Sequence, residues 1–248
     1  MDDERVTEHR QVEPGQLVMP FYLICDVSYS MTPSMTDLNE GLKRLHQAIV
    51  RQPIVDDVAQ ICIMSFSDAA RVLMPLSQMS EATVPTLSVE GGTYYNAAFR
   101  ELAQTIEFDR TNLKSQGYKI YRPCAFFLTD GAPLDRDWHE VFKNTLTYDR
   151  QTGQGMKAHP IFVPFGFRDA PEKVLRQLAY PPERGKWYLA GKTSVEQALE
   201  GILDIIMKTV VTSARTATSG QPTVSQQAPA PGSGIIQGDS DYDPDYVD

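Results

Sequence analysis

The sequence is poor in the residues that build zinc sites and redox centres. Its 248 residues include only three cysteines, Cys25, Cys62 and Cys124, and four histidines. No Cys-x-x-Cys pair occurs and the histidines show no ligand spacing, so a zinc site is not expected. Each cysteine lies in an apolar run that predicts a buried strand, where a reduced thiol acts as a small hydrophobic side chain.

Basic clusters and long apolar runs are also missing. The formal net charge is −9, and no run of Lys and Arg alternates with aromatic residues, so we expect no nucleic-acid partner. No apolar run approaches the roughly 20 residues that cross a bilayer. The charged start MDDERVTEHR does not resemble a secretion signal. We therefore expect a cytoplasmic protein that has no membrane partner.

The sequence does contain an alternation of buried strands and amphipathic helices. The stretches LVMPFYLICDVS, AQICIMSF, RPCAFFLTDG and HPIFVPFGF are typical of strands covered on both faces. A helical segment between the first two carries apolar residues on one face, at Leu38, Leu42, Leu45 and Ile49. The alternation predicts an α/β fold with a doubly wound, mostly parallel sheet. Ser67–Ala69 is too short for a parallel crossover, so the strands on either side of it should form an antiparallel hairpin.

Composition divides the chain into four parts. We predict an N-terminal extension over 1–16, a folded domain over 17–212, a disordered Pro/Ser/Gln/Gly-rich linker over 213–238 and an acidic tail over 239–248. The last ten residues hold five aspartates and two tyrosines, Tyr242 and Tyr246. Three interpretations of the tail stay open: its carboxylates occupy the protein's own cation site, its tyrosines serve in docking, or it only adds solubility.

Oxygen-bearing side chains gather where the predicted strands and loops turn towards helices. Asp26, Ser28 and Ser30 alternate at the end of the first strand, Thr93 ends a Gly-Gly-Thr loop, and Asp130 ends the strand AFFLTD. Ligands of open α/β sheets bind at the carboxyl ends of the strands. We therefore expect these five side chains to lie together.

Two carboxylates and three hydroxyls are a set of hard oxygen ligands. Such a set suits Mg²⁺ or Mn²⁺ and suits zinc or copper poorly. Magnesium keeps several waters, so the site should be incomplete and able to accept one more oxygen from outside. The sequence thus predicts a metal site that binds a carboxylate of a partner protein.

Catalytic alternatives fit the same residues less well. A phosphatase of the haloacid dehalogenase type needs a second aspartate where Ser28 stands, and a receiver domain needs a lysine after a later strand. A serine hydrolase needs a Gly-x-Ser-x-Gly elbow, which is absent from the sequence. We expect no enzyme activity. The alternatives that stay open are a metal that only staples the loops of a structural scaffold and, less favoured, a metal-dependent hydrolase or phosphatase.

The motifs DVSYSM, GGT and LTDG resemble the three parts of the metal-ion-dependent adhesion site of von Willebrand factor A domains, and the resemblance covers about residues 18–210. It implies that Ser28, Ser30 and Thr93 coordinate the metal, while Asp26 and Asp130 act largely through water or as balancing charge. It also implies a Rossmann-like sheet with one antiparallel edge strand.

Further phrases, NEGLKRL, MSFSDAARVLMPLS and YRPCAFFLTDGAP, resemble the bacterial cytoplasmic TerY/YegL-like branch linked to tellurite resistance. That resemblance implies a stress or metal-resistance role, with a protein kinase and a PP2C-type phosphatase as partners. One residue departs from the family, because Tyr29 stands where a glycine is common. Its ring either packs on a neighbouring loop or contacts a partner.

Overall fold

A mixed sheet forms the centre of the molecule. The computed structural model describes residues 15–191, 193–220 and 222–246. Within these ranges the strands are β1 (Leu17–Asp26), β2 (Ala59–Phe66), β3 (Ala70–Ser77), β4 (Lys119–Ile120), β5 (Cys124–Thr129), β6 (Ile161–Gly166), β7 (Lys186–Ala190) and β8 (Ile235–Asp239). The sheet order is β3-β2-β1-β5-β6-β7-β8, and the short β4 pairs with the start of β1.

Helices cover both faces of the sheet. They are α1 (Met35–Val50), α2 (Pro53–Val58), α3 (Tyr95–Ser115), α4 (Trp138–Leu146), α5 (Glu172–Leu178) and α6 (Val195–Thr218), with short 3₁₀ helices at Tyr29–Ser34 and Met79–Glu81. The apolar sides of α1, α2 and α6 pack on one face, and those of α3, α4 and α5 pack on the other. The predicted stripe of α1 is buried at all four positions.

The central strand β1 explains how the sheet delivers side chains to its carboxyl edge. Leu23 and Cys25 belong to the core on one face, and Tyr22 and Ile24 belong to the core on the other. Both faces of the strand are covered, which is why its sequence is apolar at nearly every position. Asp26 ends the strand and is buried at this edge.

The predicted fold class is confirmed. β1 pairs in parallel with β2 and β5, and β6 continues the parallel part of the sheet. β2 and β3 form the antiparallel hairpin around Ser67–Ala69. The three cysteines are free and buried. The structure differs in having a second antiparallel pair, β7 with β8, where one antiparallel edge strand was expected.

The stretch predicted as a disordered linker, residues 213–238, begins in a helix and ends in a strand. Helix α6 continues to Thr218, because the small residues Ser213, Ala214 and Ala217 keep its buried face. The Ser213 hydroxyl accepts a hydrogen bond from the backbone N–H of Ser225 at 2.9 Å. Residues 235–239 then form β8, whose backbone ladder with β7 requires little apolar sequence.

The acidic tail was predicted over 239–248, and its described part, residues 239–246, folds back on the chain. We call residues 235–246 the C-terminal clasp. The ring of Tyr242 packs against Tyr180 and His139 (centroid distances 5.1 and 5.7 Å). Tyr246 lies 5.9 Å from Trp138. Asp239 and Asp241 pair with Lys186 and Arg176, so these carboxylates do not occupy the predicted metal site.

Two expectations concern other parts of the chain. The N-terminal extension was predicted over 1–16, and residues 1–14 lie outside the described residues. In the described part of the chain, no helix combines the length and the apolar character that crossing a membrane requires. The boundaries of the four parts stay predictions.

Candidate metal centre

Asp26 is fixed at the end of β1 by hydrogen bonds to both of its carboxylate oxygens. Its Oδ1 accepts from the backbone N–H of Ser28 at 2.8 Å, and its Oδ2 accepts from the hydroxyl of Thr129 at 2.8 Å. Aspartate commonly accepts from the backbone two residues on, which shapes the turn after a strand. The carboxylate is fully buried and forms no ion pair with another described residue.

A chain of hydroxyls joins this turn to the end of β5. The Oγ atoms of Ser28 and Ser30 lie 3.0 Å apart, and the Ser30 hydroxyl donates to Asp130 Oδ1 at 2.6 Å. Since a hydroxyl carries one proton, Ser28 must donate to Ser30. Ser28 Oγ therefore keeps both of its lone pairs and Ser30 Oγ keeps one, and these are left available for a cation.

Thr93 reaches the same edge from a separate loop. Gly91 has φ +62°, a left-handed conformation that favours glycine. The N–H of Gly92 donates to Asp68 Oδ1 at 2.7 Å, which ties the loop to the β2–β3 turn. The hydroxyl of Thr93 lies 3.9 Å from the position that a Cβ of Gly131 would take. The structure thus places Thr93 beside the residue that follows Asp130.

Burial makes the two carboxylates costly to ionise. It raises the pKa of Asp26 to about 6, although hydrogen bonds from Ser28 and Thr129 act in the opposite direction. Burial also raises the pKa of Asp130, against the lowering influence of Ser30 and the Arg168 guanidinium. A cation placed between the two groups would favour their ionised forms.

Three residues of this edge were not among the predicted site residues. Thr129 holds Asp26, Asp68 holds the glycine loop, and Arg168 donates from Nη1 to Asp130 Oδ2 at 2.8 Å. The sequence signal for Thr129 was its place next to Asp130 in LTDG. Arg168 follows β6 in a stretch that matches no motif, so only the fold reveals its position.

The donor set fits a hard divalent cation. Two oxygens at right angles around Mg²⁺ are separated by about 3.0 Å when each bond is about 2.1 Å, and the Ser28 and Ser30 oxygens are 3.0 Å apart. No group of three His, Cys, Asp or Glu side chains suited to a metal occurs among the described residues. Hydroxyls must therefore supply part of any ligand set here.

Exposed apolar side chains surround this edge. Tyr29, between the two serines, is 69% exposed, and Tyr94 and Leu134 are exposed as well. A Cβ on Gly92 would lie 3.1 Å from Tyr94 Cε2 and 2.9 Å from Leu134 Cδ1, so these two side chains flank the Thr93 loop. Tyr29 starts a 3₁₀ helix and does not have a positive φ, which explains how this site accommodates a residue other than glycine.

Comparisons with known proteins agree with this geometry. A family model described as von Willebrand factor type A domain matches residues 21–203. A comparison with curated proteins gives no match.

Several solved structures share the fold at low sequence identity. The pilus adhesin SpaC from Lactobacillus rhamnosus GG, in its open conformation, gives a TM-score of 0.56 with 14% identity, over 81% of this chain and 31% of that one. Proximal thread matrix protein 1 from the mussel byssus, with a zinc-occupied MIDAS motif, gives 0.53 with 12% identity, over 81% and 49%. The ArnB paralog VWA2 from Sulfolobus acidocaldarius gives 0.50 with 16% identity, over 78% and 46%. The matched regions make up less than half of each of these proteins, and the likeness shows the fold alone.

Proposed function

We propose that this chain, which belongs to the von Willebrand factor type A domain family, is a metal-dependent protein-binding module. The observation that carries the proposal is Asp26. Its carboxylate is fully buried, is held by two hydrogen bonds and has no described cationic partner. A buried carboxylate of this kind is stabilised when a cation offsets its charge.

In this proposal five residues hold the cation, namely Asp26, Ser28, Ser30, Thr93 and Asp130. The hydroxyls offer lone pairs and the two carboxylates balance the charge. When bound, the cation supplies a Lewis-acidic position that accepts one oxygen from a partner's Asp or Glu side chain. The chain's own part is to fix the hydroxyls through the link from Ser28 to Asp130.

We propose Mg²⁺ or Mn²⁺ as the cation, because the side chains are hard oxygen donors and none is an imidazole or a thiolate. The mussel protein with a similar fold is described with zinc in its motif. Competition titrations among Mg²⁺, Mn²⁺ and Zn²⁺ would decide which cation this site prefers.

The apolar rim favours a protein partner over a free small carboxylate. Tyr29, Tyr94 and Leu134 expose apolar surface around the polar centre, and interfaces commonly combine such anchors with a polar contact. The TerY/YegL-like resemblance adds a cytoplasmic stress or metal-resistance setting to the proposal, with a kinase and a PP2C-type phosphatase as candidate partners. Because the donor set contains no histidine and no cysteine, we propose binding without catalysis.

The test separates binding from a purely structural metal. Calorimetry should show one Mg²⁺ or Mn²⁺ bound to the protein and none bound to Asp26→Ala or Asp130→Ala, while Asp204→Ala, at a partly exposed position of α6, serves as the control. Affinity capture from native extract should retain partners with Mg²⁺ and lose them with a chelator. If the metal raises the melting temperature but capture is the same in both buffers, the stapling alternative is correct.

A further inference from the structure

Arg168 lies against the candidate metal centre in a strained conformation. Its Nη1 donates to the backbone oxygen of Ser30 at 2.5 Å and to Asp130 Oδ2 at 2.8 Å. Among described residues other than glycine it alone has a positive φ, +54°, which costs an ordinary side chain about 1 kcal/mol. Strained residues of this kind cluster at functional sites.

The loop that carries Arg168 is tied to the same strand end as Asp130. The N–H of Asp169 donates to the backbone oxygen of Asp130 at 3.1 Å, and the N–H of Phe167 donates to that of Thr129 at 3.3 Å. These bonds hold the backbone on both sides of Arg168. The guanidinium is therefore positioned by the fold beside the centre.

Most of the hydrogen-bonding capacity of Arg168 is still available. A guanidinium carries five N–H donors, and the two on Nη1 account for both contacts described above. The three on Nε and Nη2 form no hydrogen bond with another residue in the described ranges. About a third of the side chain is exposed (32%), so these donors are accessible from the solvent side of the centre.

The charges around the centre determine which kind of ligand it attracts. When ionised, Asp26 and Asp130 together offset the charge of a divalent cation. Arg168 then adds one positive charge beside the centre, and the exposed carboxylate of Asp169, whose charge acts on Asp130, partly offsets it. A cation and a guanidinium side by side attract an anionic ligand to the centre more strongly than a neutral one.

We propose that Arg168 is a second contact for the partner's carboxylate, which places one oxygen on the metal and accepts hydrogen bonds from Nε and Nη2 of the guanidinium with its other oxygen. This inference rests on the proposed function, since it requires a cation at the centre. It defines the ligand as one acidic side chain recognised by two cationic groups. Charge-assisted bonds of an arginine are about twice as strong as neutral ones.

The experiment uses a blocked Gly-Gly-Asp-Gly-Gly peptide, its Asn counterpart and the full-length chain. Peptide affinity is followed by NMR titration in Mg²⁺ and in chelator, and Mg²⁺ affinity alone is measured by calorimetry. The variants are Arg168→Gln and Arg168→Lys. Arg110→Gln is the control, because Arg110 pairs with Glu107 on α3 and lies 15 residues, or roughly 22 Å, beyond the start of the helix near the centre.

We expect Arg168→Gln to weaken binding of the Asp peptide about tenfold without lowering Mg²⁺ affinity, since a neighbouring positive charge is removed. Arg168→Lys should lose less, because it keeps the charge and loses only the fork. Unchanged affinity for the Asp peptide in Arg168→Gln would overturn the inference. Parallel losses of peptide and Mg²⁺ affinity would also overturn it, because they would show that Arg168 only orders the centre. Equal peptide binding by the wild-type chain in Mg²⁺ and in chelator would instead reject the proposed function.

Discussion

The candidate metal centre and the C-terminal clasp use aspartates in opposite ways. At the centre Asp26 is buried without a cationic partner among the described residues, and burial raises its pKa. In the clasp Asp241 is exposed and pairs with Arg176 at 2.6 Å. An exposed pair contributes at most about 1 kcal/mol, whereas an uncompensated buried charge lowers stability. Under the proposed function, the centre therefore binds at a cost in stability, whereas the paired aspartates of the clasp carry no such cost.

The clasp is held mainly by rings and backbone. Tyr242 packs on Phe142 and Tyr180, and the backbone of Asp243 donates to Gln177 Oε1 at 2.9 Å. The indole Nε1–H of Trp187 in β7 donates to the backbone oxygen of Asp239 at 2.9 Å. These contacts lie on α4, α5 and the β7 edge of the sheet. Changes in the clasp should therefore alter stability without altering metal affinity.

Deleting residues 239–248 should produce the largest effect. Loss of the partly buried rings of Tyr242 and Tyr246 and of several hydrogen bonds should lower the free energy of unfolding by about 3–5 kcal/mol. Mg²⁺ affinity should change less than about threefold, since no clasp carboxylate described here contacts the centre. Urea unfolding and calorimetric titration of the same preparations would measure both. Tyr242→Phe, which keeps the ring, should cost less than about 1 kcal/mol.

An unchanged unfolding free energy after the deletion would show that the clasp does not stabilise the fold in solution. A rise in carboxylate-peptide affinity would show instead that the tail competes for the metal, as one of the interpretations of the sequence proposed. Either outcome would contradict the assignment of stability to the clasp and of binding to the candidate metal centre.

The contrast also explains what the sequence could predict. Asp26, Ser28 and Ser30 form a local pattern at the end of a recognisable strand, so their proximity follows from the chain direction and the rules of parallel sheets. The clasp has no such pattern. Its order depends on the edge of β7 and on rings of α4, and its composition alone resembles that of a disordered segment.

Arg168 belongs to the part that the sequence could not supply. The loop after β6 reaches Asp130 only because β5 and β6 are neighbours in the sheet, with Thr129 opposite Gly166. Long-range neighbours of this kind are set by topology and not by a motif. The same holds for Asp68, which reaches Gly92 from the β2–β3 turn.

Asp26→Asn should separate function from stability at the centre. The variant should lose Mg²⁺ affinity at least about 100-fold, equivalent to about 3 kcal/mol. In the absence of metal, the free energy of unfolding of the variant at pH 7 should exceed that of the wild type by about 1–3 kcal/mol. The reason is that burial raises the pKa of the wild-type carboxyl from 3.8 to about 6, so that its ionised form destabilises the fold. The gain should disappear as pH falls from 6 towards 4, where the wild-type carboxyl is protonated.

Denaturant titrations in chelator at pH 7 and pH 4.5 measure this difference, with Asp204→Asn as the control at a partly exposed aspartate paired with Lys208. A variant that is less stable than wild type at both pH values would mean that the hydrogen bonds to Ser28 and Thr129 outweigh the burial of charge. The proposal that the ionised Asp26 carboxylate lowers the stability of the metal-free protein would then be incorrect.

Acid should lower the stability of the region around the clasp, whereas it should relieve the destabilising charge of Asp26 at the metal-free centre. Burial, together with nearby Arg122, lowers the pKa of His159 from 6.5 to about 4, and its ring lies 5.0 Å from that of Tyr180. The unfolded chain takes up this proton first, so the stability that the neutral ring contributes is present above pH 6.5 and is lost as pH falls towards 4. After allowance for solvent screening the loss is about 1–2 kcal/mol.

His159→Gln should remove this part of the acid sensitivity, and NMR titration of the ring in the wild type should show protonation near pH 4. The measurement is best made in the Asp26→Asn background, where the opposing titration of Asp26 is absent. A ring that titrates near pH 6.5 would contradict the prediction, and so would an unaltered pH slope in the double variant.

Tyr29→Ala should have the smallest effect on the fold. This variant distinguishes a ring that packs on a neighbouring loop from one that contacts a partner. The backbone of Tyr29 is bound on both sides, since its N–H donates to the oxygen of Gly91 at 3.1 Å and its own oxygen accepts from the Thr32 hydroxyl at 2.7 Å. The ring itself is 69% exposed. Removing it should change the free energy of unfolding by less than about 0.5 kcal/mol and leave Mg²⁺ affinity unchanged. A loss above about 1 kcal/mol would show that the ring packs on a neighbouring loop.

If the ring of Tyr29 is a partner contact, a blocked peptide with Leu next to its Asp should bind Tyr29→Ala several-fold more weakly than wild type. Tyr29→Phe should retain that affinity, because exposed aromatic rings beside a polar contact act through their apolar surface.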